Sequence, residues 1–115
     1  MSKAEQPVYL KLREKIAAAI LDGRYGDGDP LPSVRAFAAD EGANPLSVAK
    51  AYKTFQDDGI VVVRRGVGMF VANGASEKLK TRERSTFLKE EWPKIVRHIE
   101  RLGLDTADLL DRETA

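Results

Sequence analysis

Val8, Leu12, Ile16, Ala19 and Ile20 recur at helical spacing, which predicts an amphipathic helix over about residues 8–22. Pro7 stands just before it and Gly23 just after it, the usual asymmetry of helix ends. Gly23, Gly26, Gly28, Pro30 and Pro32 then crowd a short stretch that reads as a turn-rich connector. Ser33 is a candidate N-cap for a short helix running to Glu41 and closed by Gly42, with Val34, Phe37 and Ala38 facing inward. Asn44-Pro45 opens a third helix: the asparagine can accept from free backbone donors, and proline loses nothing at the first helical position. Stepping about 100° per residue puts Val48, Ala51, Tyr52 and Phe55 on one side. Leu46, Lys50 and Lys53 fall opposite, with Ser47 at the flank, and Gly59 ends the helix. The β-branched run Ile60–Val63, the reversal Gly66-Val67-Gly68 and the return Met69–Val71 predict a hairpin.

Beyond Asn73-Gly74 the chain turns to helix formers and dense mixed charge. Leu88, Trp92, Ile95, Ile99 and Leu102 follow a 4-3-4-3 spacing, the seam of a short coiled-coil-like contact that Val96 widens. Pro93 interrupts it, so a helix is either kinked there or begins there. Gly103 stops the helix, and Asp105 or Thr106 caps a last short one through Leu109-Leu110. The expected fold class is therefore α+β. A winged helix-turn-helix domain over residues 7–73 precedes an all-α, two-helix dimerisation segment over residues 75–115.

Composition changes this picture in one respect. The 115 residues hold 19 Lys+Arg against 18 Asp+Glu, a net charge of only +1. Residues 1–74 carry ten basic and nine acidic residues, and 75–115 carry nine of each, so neither part has the overall basic footprint of a strong nucleic-acid binder. Any positive surface must arise locally. The absence of cysteine excludes a disulfide framework and a thiolate metal site. No apolar run approaches the roughly 20 residues of a membrane span. The N-terminus shows no basic region followed by an apolar core, so a cytoplasmic location is expected.

A helix for the major groove beside a basic hairpin points to double-stranded DNA. Ser47 and Lys50 suit base edges or phosphate, Leu46 a thymine methyl, and Lys53 phosphate; the alternative is a solvated helix face. Ser33 and Arg35, at the start of the preceding helix, lie beside the recognition helix with Asn44. Arg35 can reach a guanine or a phosphate, or else pair with Asp40 or Glu41 at the surface. Arg64 and Arg65 can track the backbone, and Gly66 allows close approach to the minor groove. Gly66-x-Gly68 is no dinucleotide fingerprint, because no strand, Gly-rich turn and helix follow in that order.

Little supports catalysis. His98 is the lone histidine and has no serine or cysteine partner at recognisable spacing. Asp105, Asp108 and Asp111 recur every three residues, but their short helix and nearby Arg112 favour a solvated face over a cation site. Trp92 fits the seam better than a ligand pocket. No cofactor and no metal are expected.

Across residues 7 to 72 the chain resembles the GntR family of bacterial transcription regulators. The shared pattern comprises Gly23 to Pro32, Leu31-Pro32-Ser33-x-Arg35, Val48-x-x-Ala51-Tyr52-x-x-Phe55, Gly59-Ile60 and Gly66-x-Gly68-x-Phe70-Val71. Asn44-Pro45 leading into Val48-Ala49-Lys50-Ala51-Tyr52 is similar to the YtrA-like subfamily, as is the brief tail with Leu102-Gly103-Leu104 and Leu109-Leu110. The resemblance implies a winged-helix regulator that dimerises through two short C-terminal helices, and the expected mode of regulation is repression. It gives the DNA-contacting roles to Arg35, Asn44, Leu46, Ser47, Lys50, Arg64, Arg65 and Gly66, and the dimer contacts fall to Leu88, Trp92, Ile95, Val96, Ile99 and Leu102. Two positions depart from the family pattern: Pro45 stands where many members carry an arginine, and Leu46 where a polar residue is more common.

The functional expectation is a homodimer on a pseudo-palindromic operator. Two other classes stay open at this stage. One is a sensor gated by an unknown small-molecule effector in the dimer cleft, which ligand-dependent thermal shifts would expose. The other is a winged-helix module for protein–protein contacts, which would show no salt-dependent retention on DNA.

Overall fold

A computed structural model describes residues 7–112. Helix α1 spans Val8–Leu21, α2 Val34–Glu41 and α3 Pro45–Asp57. Their ends follow the local chemistry. The N–H of Ala36 donates to Ser33 Oγ (3.0 Å), and the N–H of Leu46 donates to Asn44 Oδ1 (2.8 Å). Gly42 terminates α2 with a left-handed φ of 63°, a conformation that costs glycine no Cβ clash.

Strands β1 (Val61–Arg64) and β2 (Gly68–Val71) form an antiparallel hairpin in the register Val61↔Val71 through Arg64↔Gly68. The first strand starts one residue later than the hydrophobic run predicts. The N–H of Ile60 closes the end of α3 by donating to the Phe55 carbonyl (2.9 Å), while its carbonyl accepts from Ala72 (2.8 Å). The connector before α2 also differs from expectation. The N–H groups of Gly28 and Leu31 donate to the carbonyls of Val71 (2.8 Å) and Met69 (2.9 Å), and Val71 donates to Asp29 (2.9 Å). Pro30 bridges Phe70, so this Gly- and Pro-rich segment lines the wing as a short third edge. Proline is tolerated there because an edge position needs no donor on its outer side.

The core lies where α1, α3 and the hairpin meet. Ile20, Val48, Ala51, Phe55, Ile60 and Val61 are buried, joined by Ala75 and Leu79 at the start of α4 (Ala75–Thr86). Burying each large apolar side chain contributes roughly 1.5–3 kcal/mol. No polar or charged residue is buried among the described residues. Polar staples act at the margin instead. Arg13 on α1 donates to Thr54 Oγ1 (3.1 Å) and Asp58 Oδ2 (3.3 Å) with its guanidinium 4.6 Å from the Phe55 ring centre. Lys15 on α1 pairs with Glu41 on α2 at 2.6 Å.

The chain divides into two compact units, residues 1–80 and 81–115. In the second, the last residues of α4 are followed by a π-helical turn (Phe87–Glu91), then α5 (Trp92–Arg101) and α6 (Thr106–Arg112). Pro93 is the second residue of α5, directly after the π-helical turn, close to where the sequence predicts a kink or a start. It has no N–H, and its ring would press on the carbonyl four residues back. The N–H of Trp92 reaches the Phe87 carbonyl five residues back, which widens the ladder just ahead of the proline. The 4-3-4-3 seam accordingly crosses one irregular turn between Leu88 and Trp92. Asp105 caps α6, its Oδ1 accepting from the Ala107 N–H (3.0 Å). Residues 113–115 of the expected dimerisation segment lie outside the described residues.

Candidate nucleic-acid interface

The wing and α3 border an open groove of about 690 Å³ in the first unit. Ser33, Lys53, Arg64, Arg65 and Gly66 line it, and no aspartate or glutamate does. Five of the ten residues read from the sequence as DNA-facing are thus brought together. Arg35, Asn44, Leu46, Ser47 and Lys50 do not line the groove; all but the half-buried Ser47 are exposed, on α2 or along the first half of α3.

Each candidate has a particular state. Arg35 makes no ion pair among the described residues, and Glu41, one of its alternative partners, is held by Lys15. Arg65 and Gly66 form the hairpin tip, where Val67 donates back to the Arg64 carbonyl (2.9 Å) and Gly66 adopts a φ of 77°. Arg64 lies 4.7 Å over the Phe70 ring, and Lys50 4.1 Å over the Tyr9 ring of α1. Each cation is thereby aimed by an aromatic face rather than neutralised by an acid. Lys53 does pair with an acid, Asp57, one turn away at 2.7 Å. Such an exposed pair is worth little and is easily exchanged for a stronger anion. Ser33 and Asn44 have their acceptor oxygens occupied by the caps they form, leaving a hydroxyl proton and an amide NH₂ to donate.

This arrangement resolves the near-neutral total charge. From Pro30 to Ser76 the only acids are Asp40, Glu41, Asp57 and Asp58, all at the C-terminal ends of α2 and α3. Three of them are engaged: Glu41 by Lys15, Asp57 by Lys53 and Asp58 by Arg13. The cations Arg35, Lys50, Arg64 and Arg65 sit outside those pairs. Sequence reasoning missed Tyr9, Gln56 and Phe70 as parts of this surface. Gln56 is an exposed amide in the groove, one α-turn beyond Lys53, and helical spacing alone carries that signal. Tyr9 and Phe70 act through contacts with no local sequence mark.

Beneath the interface, Tyr52 ties the connector to α3. Its hydroxyl donates to the Pro32 carbonyl (2.7 Å) and its ring stacks on Phe37 at 6.2 Å between centres. Burial, with a smaller contribution from Tyr25, pushes its pKa up to about 12.

In the second unit, Leu88, Trp92, Ile95 and Leu102 are exposed, and Val96 and Ile99 are half-buried. Trp92, Ile95 and Ile99 with Leu109 and Leu110 line an apolar groove of about 240 Å³ between α5 and α6; Leu88, Val96 and Leu102 lie outside it.

A capped recognition helix, a preceding helix that bears an unpaired arginine, and a basic wing define a winged helix-turn-helix DNA-binding regulator. The chain belongs to the GntR family, in its YtrA-like branch: residues 8–71 match "Bacterial regulatory proteins, gntR family". It is 32% identical over 94 residues to the HTH-type transcriptional repressor YtrA of Bacillus subtilis, covering 82% of this chain and 72% of that one. Its likeness to the uncharacterized HTH-type transcriptional regulator YhcF of the same organism is 29% over 109 residues, covering 95% and 88%. Among solved structures, a GntR family transcriptional regulator from Listeria monocytogenes superposes with a TM-score of 0.75 at 22% identity, over 96% of this chain and 95% of that one. That last likeness speaks to the fold. No helix among the described residues is long and apolar enough to cross a membrane.

Proposed function

We propose that this regulator is a cytoplasmic repressor that binds a pseudo-palindromic operator as a homodimer. One observation carries the reading: the groove between α3 and the wing is edged by Lys53, Arg64 and Arg65 and lined by no acidic side chain. Phosphate oxygens fit such a cradle. In this reading, α3 enters the major groove, with Leu46, Ser47 and Lys50 toward base edges and Asn44 and Ser33 donating at its margin. Arg64, Arg65 and Gly66 follow the flanking backbone, and Arg35 reaches a base or phosphate beside α3. The domain over residues 7–73 reads DNA, and the segment over 75–115 pairs two copies.

Dimerisation rests on the seam. Leu88, Trp92, Ile95 and Leu102 leave apolar surface in water that a second copy would cover, with Val96 and Ile99 beneath. A single winged domain makes too few contacts for useful discrimination among genomic sites, so pairing supplies the second half-site. A second reading adds a small-molecule effector. The groove of about 240 Å³ is apolar but smaller than ordinary ligand pockets of about 300 Å³ or more, so an effector would need both copies to enclose it.

Arg35→Ala tests the site. Binding to the operator should weaken by about 1–3 kcal/mol while binding to random duplex changes far less. Equal losses on both duplexes would make Arg35 a phosphate contact, and no loss on either would remove it from the interface.

A further inference from the structure

The exposed start of the recognition helix is apolar. Leu46, the second residue of α3, is 79% exposed, more than any other exposed large hydrophobic side chain among the described residues. Its neighbours leave few polar groups there, the Asn44 amide NH₂ among them. Pro45 has no donor at all, Asn44 spends its side-chain oxygen on the Leu46 N–H (2.8 Å), and Ser47 is half-buried. The first cation, Lys50, lies a turn further on with its ammonium over the Tyr9 ring at 4.1 Å.

In the major groove, guanine shows only acceptors, cytosine a donor, and adenine one of each; thymine alone adds a methyl group at C5. A leucine pressed against guanine or cytosine strips water from polar atoms and returns no hydrogen bond. Against a thymine methyl it removes apolar surface on both partners. We infer that Leu46 reads a thymine C5 methyl, so that each operator half-site carries a thymine facing the start of α3. This rests on the operator-binding reading above and names the base chemistry that it requires at one position.

The experiment begins with the full chain selecting sites from a pool of random-sequence duplexes. Each thymine of the selected operator is then replaced by uracil, which deletes the methyl and keeps the base pair. One symmetry-related pair of thymines should respond, each uracil weakening binding about fourfold, the worth of one buried methyl. Leu46→Ala should abolish that penalty while leaving any other uracil penalties unchanged. The side chain is exposed, so the thermal midpoint of Leu46→Ala should match the parent and separate reading from folding. No uracil penalty on a tightly bound operator would overturn the inference alone, as would a penalty that persists in Leu46→Ala. A pool that never enriches would overturn the operator-binding reading itself.

Discussion

The two units of this chain solve the burial problem in opposite ways. Every buried side chain among the described residues lies at or before Leu79, whereas from Thr81 onward none is buried. The first unit closes its own core with Ile20, Val48, Phe55, Ile60 and Leu79. The second holds Leu88, Trp92, Ile95, Leu102 and Leu110 at its surface. A helical segment with that much exposed apolar surface gains most of its stability from packing rather than propensity. The contrast teaches that the first unit encloses its own core, whereas the second presents the apolar surface through which association is proposed.

The largest expected effect breaks the enclosed core. Phe55→Ala empties the centre of the core and should cost about 3–5 kcal/mol in urea unfolding, where Leu110→Ala in the tail costs little. Comparable losses at both positions would erase the distinction. Next, replacing Ile95 and Ile99 with glutamate should yield monomers in sedimentation and weaken operator binding about 100-fold through lost bivalency, with the winged domain still folded. Dimers that survive the double change would place the interface elsewhere.

Tyr52 gives a pH test confined to the first unit. Its pKa is about 12 when folded, against 10.0 ordinarily, so the folded state holds this proton more tightly. The stabilisation is full below pH 10 and is lost as pH rises through about 12, a change of about 3 kcal/mol. Tyr52→Phe should flatten that part of the alkaline stability profile relative to the parent. It should also destabilise at neutral pH by about 1 kcal/mol, through the lost donor to Pro32. Superimposable alkaline profiles would remove Tyr52 as the titrating group.

What the sequence revealed follows the same divide between local and distant causes. The caps at Ser33 and Asn44, the stop at Gly42 and the buried face Val48, Ala51, Tyr52 and Phe55 depend on neighbours within a turn or two, and all were legible. The edge formed by Gly28 to Leu31 was not, because its partners Met69 and Val71 lie about forty residues away and its glycines and prolines mimic a loop. Pro93 was compatible with a kink or a start, and only the bond from Trp92 to Phe87 reveals the π-helical turn. Net charge misled for a related reason. A sum over residues hides that Glu41, Asp57 and Asp58 are already occupied while Arg35 and Arg65 are not. The contacts that aim Lys50 and Arg64 involve Tyr9 and Phe70, and no spacing rule announces them.

The central claim is that a few local cations, in a chain of net charge +1, make this fold a DNA reader. Operator affinity measured across a range of salt concentrations tests it most directly. If Lys53, Arg64 and Arg65 of both copies each neutralise a phosphate, log affinity should fall against log salt with a slope of about −5 or steeper. A slope near zero would contradict the account.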